Sequence, residues 1–196
     1  MEGGGRLVLG LGNPGERYAA TRHNLGFRVV DELARRLRVA VDRRECDALV
    51  GEAGGGAAGE ARPLLAKPQT YMNRSGFAAR CLVERRGLAP GDLLVVYDEV
   101  ALPLGRVRVR PGGGPAGHRG IESVIAELRT DEVARVRLGI APEEPPADLV
   151  GFVLAPFAAG EEEAAAAAMV ALAADACQAW LVEGVAAAMN RFNGLS

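Results

Sequence analysis

The chain has 196 residues, of which 49% carry hydrophobic and 24% carry charged side chains. This composition excludes an intrinsically disordered protein, and the length suits one hydrophobic core, so we predict a single domain over 1–196 with its core at about 6–190. The formal net charge of -2 argues against wholesale wrapping of nucleic acid, although a local basic patch stays possible. Because no long apolar run or leader-like start stands out, we expect no membrane-spanning helix and a cytoplasmic location.

The three cysteines give no sign of a pairing pattern. Cys46, Cys81 and Cys177 are odd in number and far apart along the chain. Neither a disulfide framework nor a zinc site is suggested by such spacing. We therefore expect all three to be reduced and mainly structural.

The first half of the chain indicates alternating strands and helices. The apolar run RLVLGL followed by NPG predicts a buried strand that ends near Asn13. From His23 onward, apolar residues recur at helical spacing, which predicts an amphipathic helix of about four turns. The stretch ALVGEAGGGAAGEARPLLAKP indicates two strands around a glycine- and alanine-rich loop at about 53–61, which we expect to be exposed and without function.

The second half continues the alternation. QTYMNRSG leads into a helix that ends at Gly87, and LLVVYDE predicts a central strand whose carboxylates emerge at its end. In GRVRVR, Val107 and Val109 would face the core and the arginines would face outward. The glycine-rich loop PGGGPAGHRG, the helix IESVIAEL, the strand RVRLGI and an alanine-rich helix from Glu161 to about Met189 complete the chain. This order predicts an α/β fold, a three-layer sandwich with a mixed, largely parallel central sheet flanked by helices.

Four polar side chains follow the predicted strands. Asn13, Asn73 and Asp98 come where apolar strands end, and His23 opens the helix after the first strand. Ligands bind at the carboxyl ends of strands in open α/β sheets, so these side chains are expected to converge. An imidazole can take a proton from water while a carboxylate fixes its tautomer, and amides can donate to a carbonyl that gains negative charge. With no GxSxG elbow and no cysteine beside a base, direct attack by water is the simpler mechanism.

Each of these features also has a plain structural interpretation. His23 and the two asparagines could cap helices or stabilise turns, and the glycine-rich loop around His118 could be a mere connector. The arginines of GRVRVR would usually form a solvated strand face. However, seven arginines and four acidic residues lie between Arg106 and Arg137, so this region is locally basic and suited to phosphate contact.

One motif points to a different class of protein. GLGNPG matches the G-x-G-x-x-G fingerprint of dinucleotide sites directly after a strand. The fingerprint also needs a second strand and then an acidic residue about 20 positions on. Asp31 instead falls inside the helix that begins near His23, so an oxidoreductase is disfavoured.

Taken together, the motifs resemble those of the bacterial peptidyl-tRNA hydrolase family from Leu7 to about Asn190. The matching segments, in the family's order, are GLGNPGERYAATRHNLGF, KPQTYMNRSG, VVYDEVALPLGRVRVRPGGG, GHRG, RVRLGI and VGFVLAPF. The resemblance implies an enzyme that hydrolyses the ester between a peptide's carboxyl end and the 3′-terminal ribose of tRNA, which recycles tRNA from stalled or dropped-off translation. It further implies a monomer that needs no metal and no cofactor.

The resemblance also implies residue roles. His23 would be the general base that activates water, and Asp98 would orient it. Asn73 would help to place the water or the peptide carbonyl, and Asn13 would probe the peptide's blocked amino group. No residue among these departs from the family pattern.

For the tRNA, the resemblance implies aromatic and cationic contacts. Tyr18 and Tyr71 match positions that flank the tRNA-end site. His118 lies in the glycine-rich loop, where backbone donors can approach a ligand closely, so we predict it as a further substrate contact. Positions where the family places cations near phosphates are occupied by Arg108, Arg110 and Arg137, and arginine can grip a phosphate with two donors. One departure is Arg119, which follows His118 where the family commonly carries asparagine, so an added cation replaces the usual amide at the tRNA end. The principal alternative is an RNA-binding module on the same fold that has lost hydrolysis.

Overall fold

The computed structural model describes residues 5–54, 62–142 and 146–194, and these form a seven-stranded sheet with helices on both faces. Most of the predicted glycine- and alanine-rich loop, residues 55–61, lies outside the described residues. The strands are β1 (Leu7–Gly10), β2 (Arg43–Glu45), β3 (Ala48–Glu52), β4 (Leu64–Pro68), β5 (Leu93–Pro103), β6 (Val107–Arg110) and β7 (Ala134–Ala141). The helices are α1 (Leu25–Leu37), α2 (Ser75–Arg85), α3 (Arg119–Leu128), α4 (Leu149–Val153), α5 (Glu161–Glu183) and α6 (Val185–Phe192).

The sheet is mixed, as predicted. Its strand order is β2-β3-β4-β1-β5-β7-β6, and the four central strands β4, β1, β5 and β7 are parallel. The outer pairs β2 with β3, β3 with β4, and β6 with β7 are antiparallel. Central parallel strands are covered on both faces, which explains why β1 and most of β5 are continuous apolar runs.

Two hydrophobic cores lie on opposite faces of the sheet. Helices α1, α5 and α6 cover one face, where Val8 and Val96 of the sheet join Leu33 and Trp180 of the helices. Helices α2 and α3 cover the other face around Leu82. Successive strand residues point to opposite faces, so β1, β4 and β5 contribute to both cores, whereas β7 contributes to the first. The predicted three-layer sandwich is therefore confirmed.

Several elements differ from the sequence predictions. Strand β5 continues to Pro103 instead of ending near Asp98, and His23 lies in a short 3-10 helix, Arg22–Asn24, before α1. The alanine-rich tail is two helices, because Gly184 has a φ of 88° that interrupts the run. Strand β2 and helix α4 were not predicted, since each is too short to show a clear periodicity.

Helix α5 corrects a further expectation. By length and composition it could cross a membrane, although no such run was expected from the sequence. Half of its apolar stretch is buried inside the protein, and Met169, Ala173 and Trp180 belong to the core against α1 and the sheet. It packs as the core helix of this sandwich.

The prediction that all three cysteines are reduced was wrong for two of them. Cys46, in the turn between β2 and β3, is joined by a disulfide to Cys81 on α2. The two are 35 residues apart, and only the packing of α2 beside the β2–β3 turn brings them together. Cys177 is free and fully buried, and burial raises the pKa of its thiol to about 12.

The edge strand β6 is covered by the end of the chain. The side-chain oxygen of Asn193 accepts a hydrogen bond from Val109 N at 2.8 Å, and its Nδ2 donates to Val109 O at 3.0 Å. Arg108 also donates to the carbonyl of Asn193. The residue after α6 thus takes the place that a neighbouring strand would occupy at this edge.

Candidate active site

His23 and Asp98 meet beside the end of β1. Strand β1 pairs with β5 as far as Gly10 opposite Val96, and β5 then runs on, so Asp98 stands free of a β1 neighbour. His23 Nδ1 lies 2.9 Å from each carboxylate oxygen of Asp98. A carboxylate only accepts, so Nδ1 carries the hydrogen and Nε2 keeps its lone pair. This is the tautomer that a general base requires.

His118 makes a second contact to the same carboxylate. Its Nδ1 accepts from Gly120 N at 3.2 Å and from Ile121 N at 3.3 Å, which caps the start of α3. The ring hydrogen must therefore sit on Nε2, which donates to Asp98 Oδ1 at 3.1 Å. The sequence predicts His118 only as a substrate contact, whereas its ring also donates to Asp98, and its centroid lies 5.0 Å from that of the His23 ring.

The electrostatics of Asp98 follow from these two rings. Its side chain is 1% exposed, and burial alone would raise the pKa of the carboxyl. The charge and hydrogen bonds of His23 and His118 outweigh burial and hold the pKa of Asp98 well below its ordinary value. Asp98 is thus a buried anion at neutral pH, available to stabilise an imidazolium.

Within the described part of the chain, the amide hydrogens of Asn13 have no hydrogen-bond acceptor. Its Oδ1 accepts from Met72 N at 2.8 Å, while the buried side chain of Asn24 holds its backbone. Since Oδ1 is engaged, the NH₂ group is the part of the amide left to donate. Asn13 is 7% exposed and lines the cavity described next.

A cavity of about 510 Å³ opens over these residues. Its polar part is formed by Asn13, His23, Asn73, Asp98 and His118. An apolar wall is formed largely by α4 and the residue after it, namely Leu149, Val150, Val153 and Leu154. Tyr71 and Arg119 also line the cavity, and both are exposed. The four residues predicted to converge are therefore brought together, and three of the predicted tRNA contacts, Tyr71, Arg119 and His118, join them.

The remaining predicted tRNA contacts lie outside the cavity lining. Tyr18 packs against Arg17, whose guanidinium carbon is 4.5 Å from its ring centroid. Arg108 and Arg137 are cross-strand partners on β6 and β7. Arg137 donates through Nε and Nη2 to the buried Glu99, at 3.0 and 2.7 Å, and Glu99 in turn lines the cavity. Arg110 is exposed.

Sequence reasoning missed two buried polar residues that flank His23. Asn24 holds the backbone of Asn13, and Arg22 fastens the chain after α4. The Arg22 guanidinium donates to Pro156 O at 2.7 Å and to Glu162 Oε2 at 2.9 Å, between the rings of Phe152 and Phe157. The signal available was RHN, a run of three polar residues before an apolar helix, but sequence alone does not show that two of them are buried.

Comparisons with known proteins show which family this chain is similar to. The family model described as peptidyl-tRNA hydrolase matches residues 7–196. The chain is 46% identical over 189 residues to a peptidyl-tRNA hydrolase of Symbiobacterium thermophilum, covering 96% of this chain and 98% of that protein. It is 45% identical over 192 residues to one of Gloeobacter violaceus, covering 97% and 95%. The crystal structure of peptidyl-tRNA hydrolase from Acinetobacter baumannii matches with a TM-score of 0.88 at 29% identity, covering 100% of this chain and 98% of that one.

Proposed function

The chain belongs to the peptidyl-tRNA hydrolase family and is an ester hydrolase that acts on peptidyl-tRNA, and we propose that it does so with His23 as general base, Asp98 as its partner and water as nucleophile. The observation that carries the proposal is the hydrogen bond from His23 Nδ1 to Asp98 at the cavity. It leaves Nε2 as the basic nitrogen of the ring. General-base catalysis of this kind contributes about 10²- to 10⁴-fold to the rate.

The proposed reaction proceeds through a tetrahedral intermediate. His23 Nε2 takes a proton from water as the water oxygen bonds to the ester carbonyl carbon. The imidazolium that forms is stabilised by the buried Asp98 anion. When the carbon–oxygen bond to the ribose breaks, His23 returns the proton to the ribose oxygen, and the peptide leaves as its acid. Neither a covalent intermediate nor a second nucleophile is needed.

The two asparagines supply donors to the peptide. The unused NH₂ of Asn13 is placed to donate to the peptide carbonyl that precedes the last residue. Aminoacyl-tRNA lacks that carbonyl and carries an ammonium group there, which an NH₂ donor does not favour. Asn73, which is exposed at the cavity, is assigned to the ester carbonyl or the water. An oxyanion donor of this kind is worth about 10²- to 10³-fold.

We propose that this chemistry needs no metal. Ligand atoms of His23, Asp98 and His118 all lie within 4.8 Å of one another, which is close enough for an ion. However, both histidines use their ring hydrogens to hold Asp98, and a metal would have to displace both. Full activity after treatment with a chelator is the expected result.

On the nucleic-acid side, the proposal assigns the cavity mouth to the terminal nucleotide and the basic strands to phosphates. Tyr71 offers a stacking surface and Arg119 a cation at the mouth, while Arg110 on β6 is exposed toward solvent. The roles of Tyr18, Arg108 and Arg137 in tRNA binding stay proposals of the same kind, as do a monomeric state and a cytoplasmic location. Such contacts position tRNA without reading its sequence.

The test is hydrolysis of N-acetylphenylalanyl-tRNA by the purified protein. Wild type should release N-acetylphenylalanine, and His23→Ala should lose turnover by at least about 10²-fold while keeping its circular dichroism and its tRNA affinity. Asn13→Ala should lower the preference for this substrate over phenylalanyl-tRNA. Tight tRNA binding by wild type without cleavage would favour the RNA-binding alternative, and equal rates for wild type and His23→Ala would remove the imidazole from the mechanism.

A further inference from the structure

Three exposed side chains follow one another from the N-cap of the short 3-10 helix Met72–Arg74 into the first turn of α2, beside the cavity. Tyr71, Arg74 and Phe77 are spaced three residues apart, and we call them the α2 strip. Tyr71 is 55% exposed and Phe77 is 41% exposed, which is unusual for aromatic residues of this size. The Arg74 guanidinium carbon lies 5.4 Å from the centroid of the Phe77 ring. The strip therefore presents two aromatic rings with a cation between them in sequence. Its first residue, Tyr71, lines the cavity.

The strip is not part of the core, because α2 packs through its other face. A Cβ on Gly76 would lie 2.0 Å from the carbonyl oxygen of Ser123, so α2 approaches α3 too closely for any side chain there. Ala79 and Leu82 continue the buried face. Phe77 lies off this buried face and is partly exposed to solvent, with Arg74 over its ring. An exposed aromatic residue next to a catalytic cavity is typical of a ligand-binding surface.

The chemistry of the strip favours single-stranded nucleic acid. Bases stack on aromatic rings, and a cation between the rings can meet a phosphate. Arg74 has no carboxylate partner among the residues that the structure describes, whereas Arg80, one turn and a half further along α2, pairs with Glu127 at 3.1 Å. From Tyr71 to Phe77 the 3-10 and α-helical rises amount to about 10 Å. That length accommodates two or three nucleotides at the stacked spacing of about 3.4 Å.

The part of the cavity lining that α4 forms has a different character. The wall formed by α4 is apolar and uncharged, with Leu149 and Val150 exposed. Such a wall suits the side chains of a peptide and offers nothing to a phosphate. The two parts of a peptidyl-tRNA would thus be sorted by chemistry, with the peptide along α4 and the nucleotides along α2.

We propose that the α2 strip binds the unpaired nucleotides that precede the terminal ribose of tRNA, with Phe77 as a second stacking platform beyond Tyr71 and Arg74 beside a phosphate. This inference rests on the proposed function, because the strand is placed by the ester held at His23. It adds Arg74 and Phe77 to the substrate contacts, and neither residue touches the reacting atoms.

The experiment compares two esters that differ only in the nucleic-acid part. N-acetylphenylalanine is esterified either to adenosine or to the 3′ end of the trinucleotide CCA. For Phe77→Ala and for Arg74→Gln, KM for the trinucleotide ester should rise by about 5- to 100-fold, the range measured for loss of one stacked base. Their kcat, and their KM for the adenosine ester, should equal those of wild type.

Matched controls are Val182→Ala, which shortens another exposed apolar residue, and Arg80→Gln, which removes a neighbouring arginine of α2. Both should behave as wild type with both esters. Unchanged KM for the trinucleotide ester in Phe77→Ala and Arg74→Gln would overturn the proposal. An equal rise in KM for both esters would overturn it as well. Failure of wild type to cleave either ester would refute the proposed function itself.

Discussion

Asn24 holds both backbone polar groups of Asn13. Asn13 N donates to Asn24 Oδ1 and Asn24 Nδ2 donates to Asn13 O, each at 2.9 Å. The residue that follows His23 in the chain therefore fixes the backbone of a second residue that lines the cavity. These two hydrogen bonds join the turn after β1 to the 3-10 helix before α1.

Substituting Asn24 should therefore affect both stability and catalysis. Asn24→Ala leaves a buried N–H and a buried C=O of Asn13 without partners, which should lower the unfolding free energy by about 1–3 kcal/mol. The released loop should also lower kcat, because Asn13 loses its fixed position. The matched control is Asn193→Ala. Asn193 makes the same kind of paired hydrogen bonds, to the backbone of Val109, and neither residue lines the cavity. It should lose stability in urea but keep kcat; a normal kcat for both variants would contradict the coupling.

The buried Asp98 anion predicts a specific dependence of stability on pH. Its pKa is lowered in the folded state, so its contribution to stability is present above the ordinary value of 3.8 and is lost as pH falls toward the folded-state value. The difference in unfolding free energy between wild type and Asp98→Asn should therefore be large at pH 5 and should narrow as pH falls below about 4. Urea titrations at pH 5, 4 and 3 measure it. A difference that stays constant over this range would show that the ionised carboxylate is not the stabilising form.

Arg22 predicts a split between binding and turnover. Arg22→Gln removes the donors that fasten Pro156 and Glu162, so the apolar wall of α4 should lose its fixed position. KM for N-acetylphenylalanyl-tRNA should rise about 10-fold, equivalent to about 1.4 kcal/mol of binding, with a smaller change in kcat. The matched control is Arg28→Gln, which removes a similar ion pair, to Glu163 on α5, but none of the hydrogen bonds that Arg22 donates to the backbone of 152–156. If Arg28→Gln raised KM equally, the effect would not belong to the α4 wall.

The disulfide predicts a thiol count and a stability change without loss of activity. In denaturant without reductant, only Cys177 should react with a thiol reagent. Cys81→Ser should lower the unfolding free energy by about 4 kcal/mol, as expected for a closed loop of this length. Neither Cys46 nor Cys81 lines the cavity, so kcat should not change. Three reactive thiols in the unreduced protein would exclude the bridge.

Much of the fold, and the convergence of the candidate site residues, could be predicted because the relevant signals are local. The apolar runs of β1 and β5 indicate strands that are buried on both faces. Asn13, Asn73 and Asp98 follow such runs or lie within them. The sequence does not show where pairing with β1 stops, so the continuation of β5 beyond Asp98 could not be anticipated. Arg22 contacts Pro156, which lies more than a hundred residues further along the chain. His118 contacts Asp98, which lies about twenty residues before it. Local sequence signals do not reveal either contact. The Cys46–Cys81 pairing is likewise a product of tertiary packing.

The amide of Asn193 has a consequence for how this protein meets other copies of itself. An outer strand with unsatisfied backbone groups is a template on which a foreign strand can add. At Val109 both groups are already taken by one side chain, so an incoming strand would first have to break two hydrogen bonds and displace the turn after α6. The basic residues of β6 can thus stay on the surface for a polyanion while its backbone resists edge-to-edge aggregation.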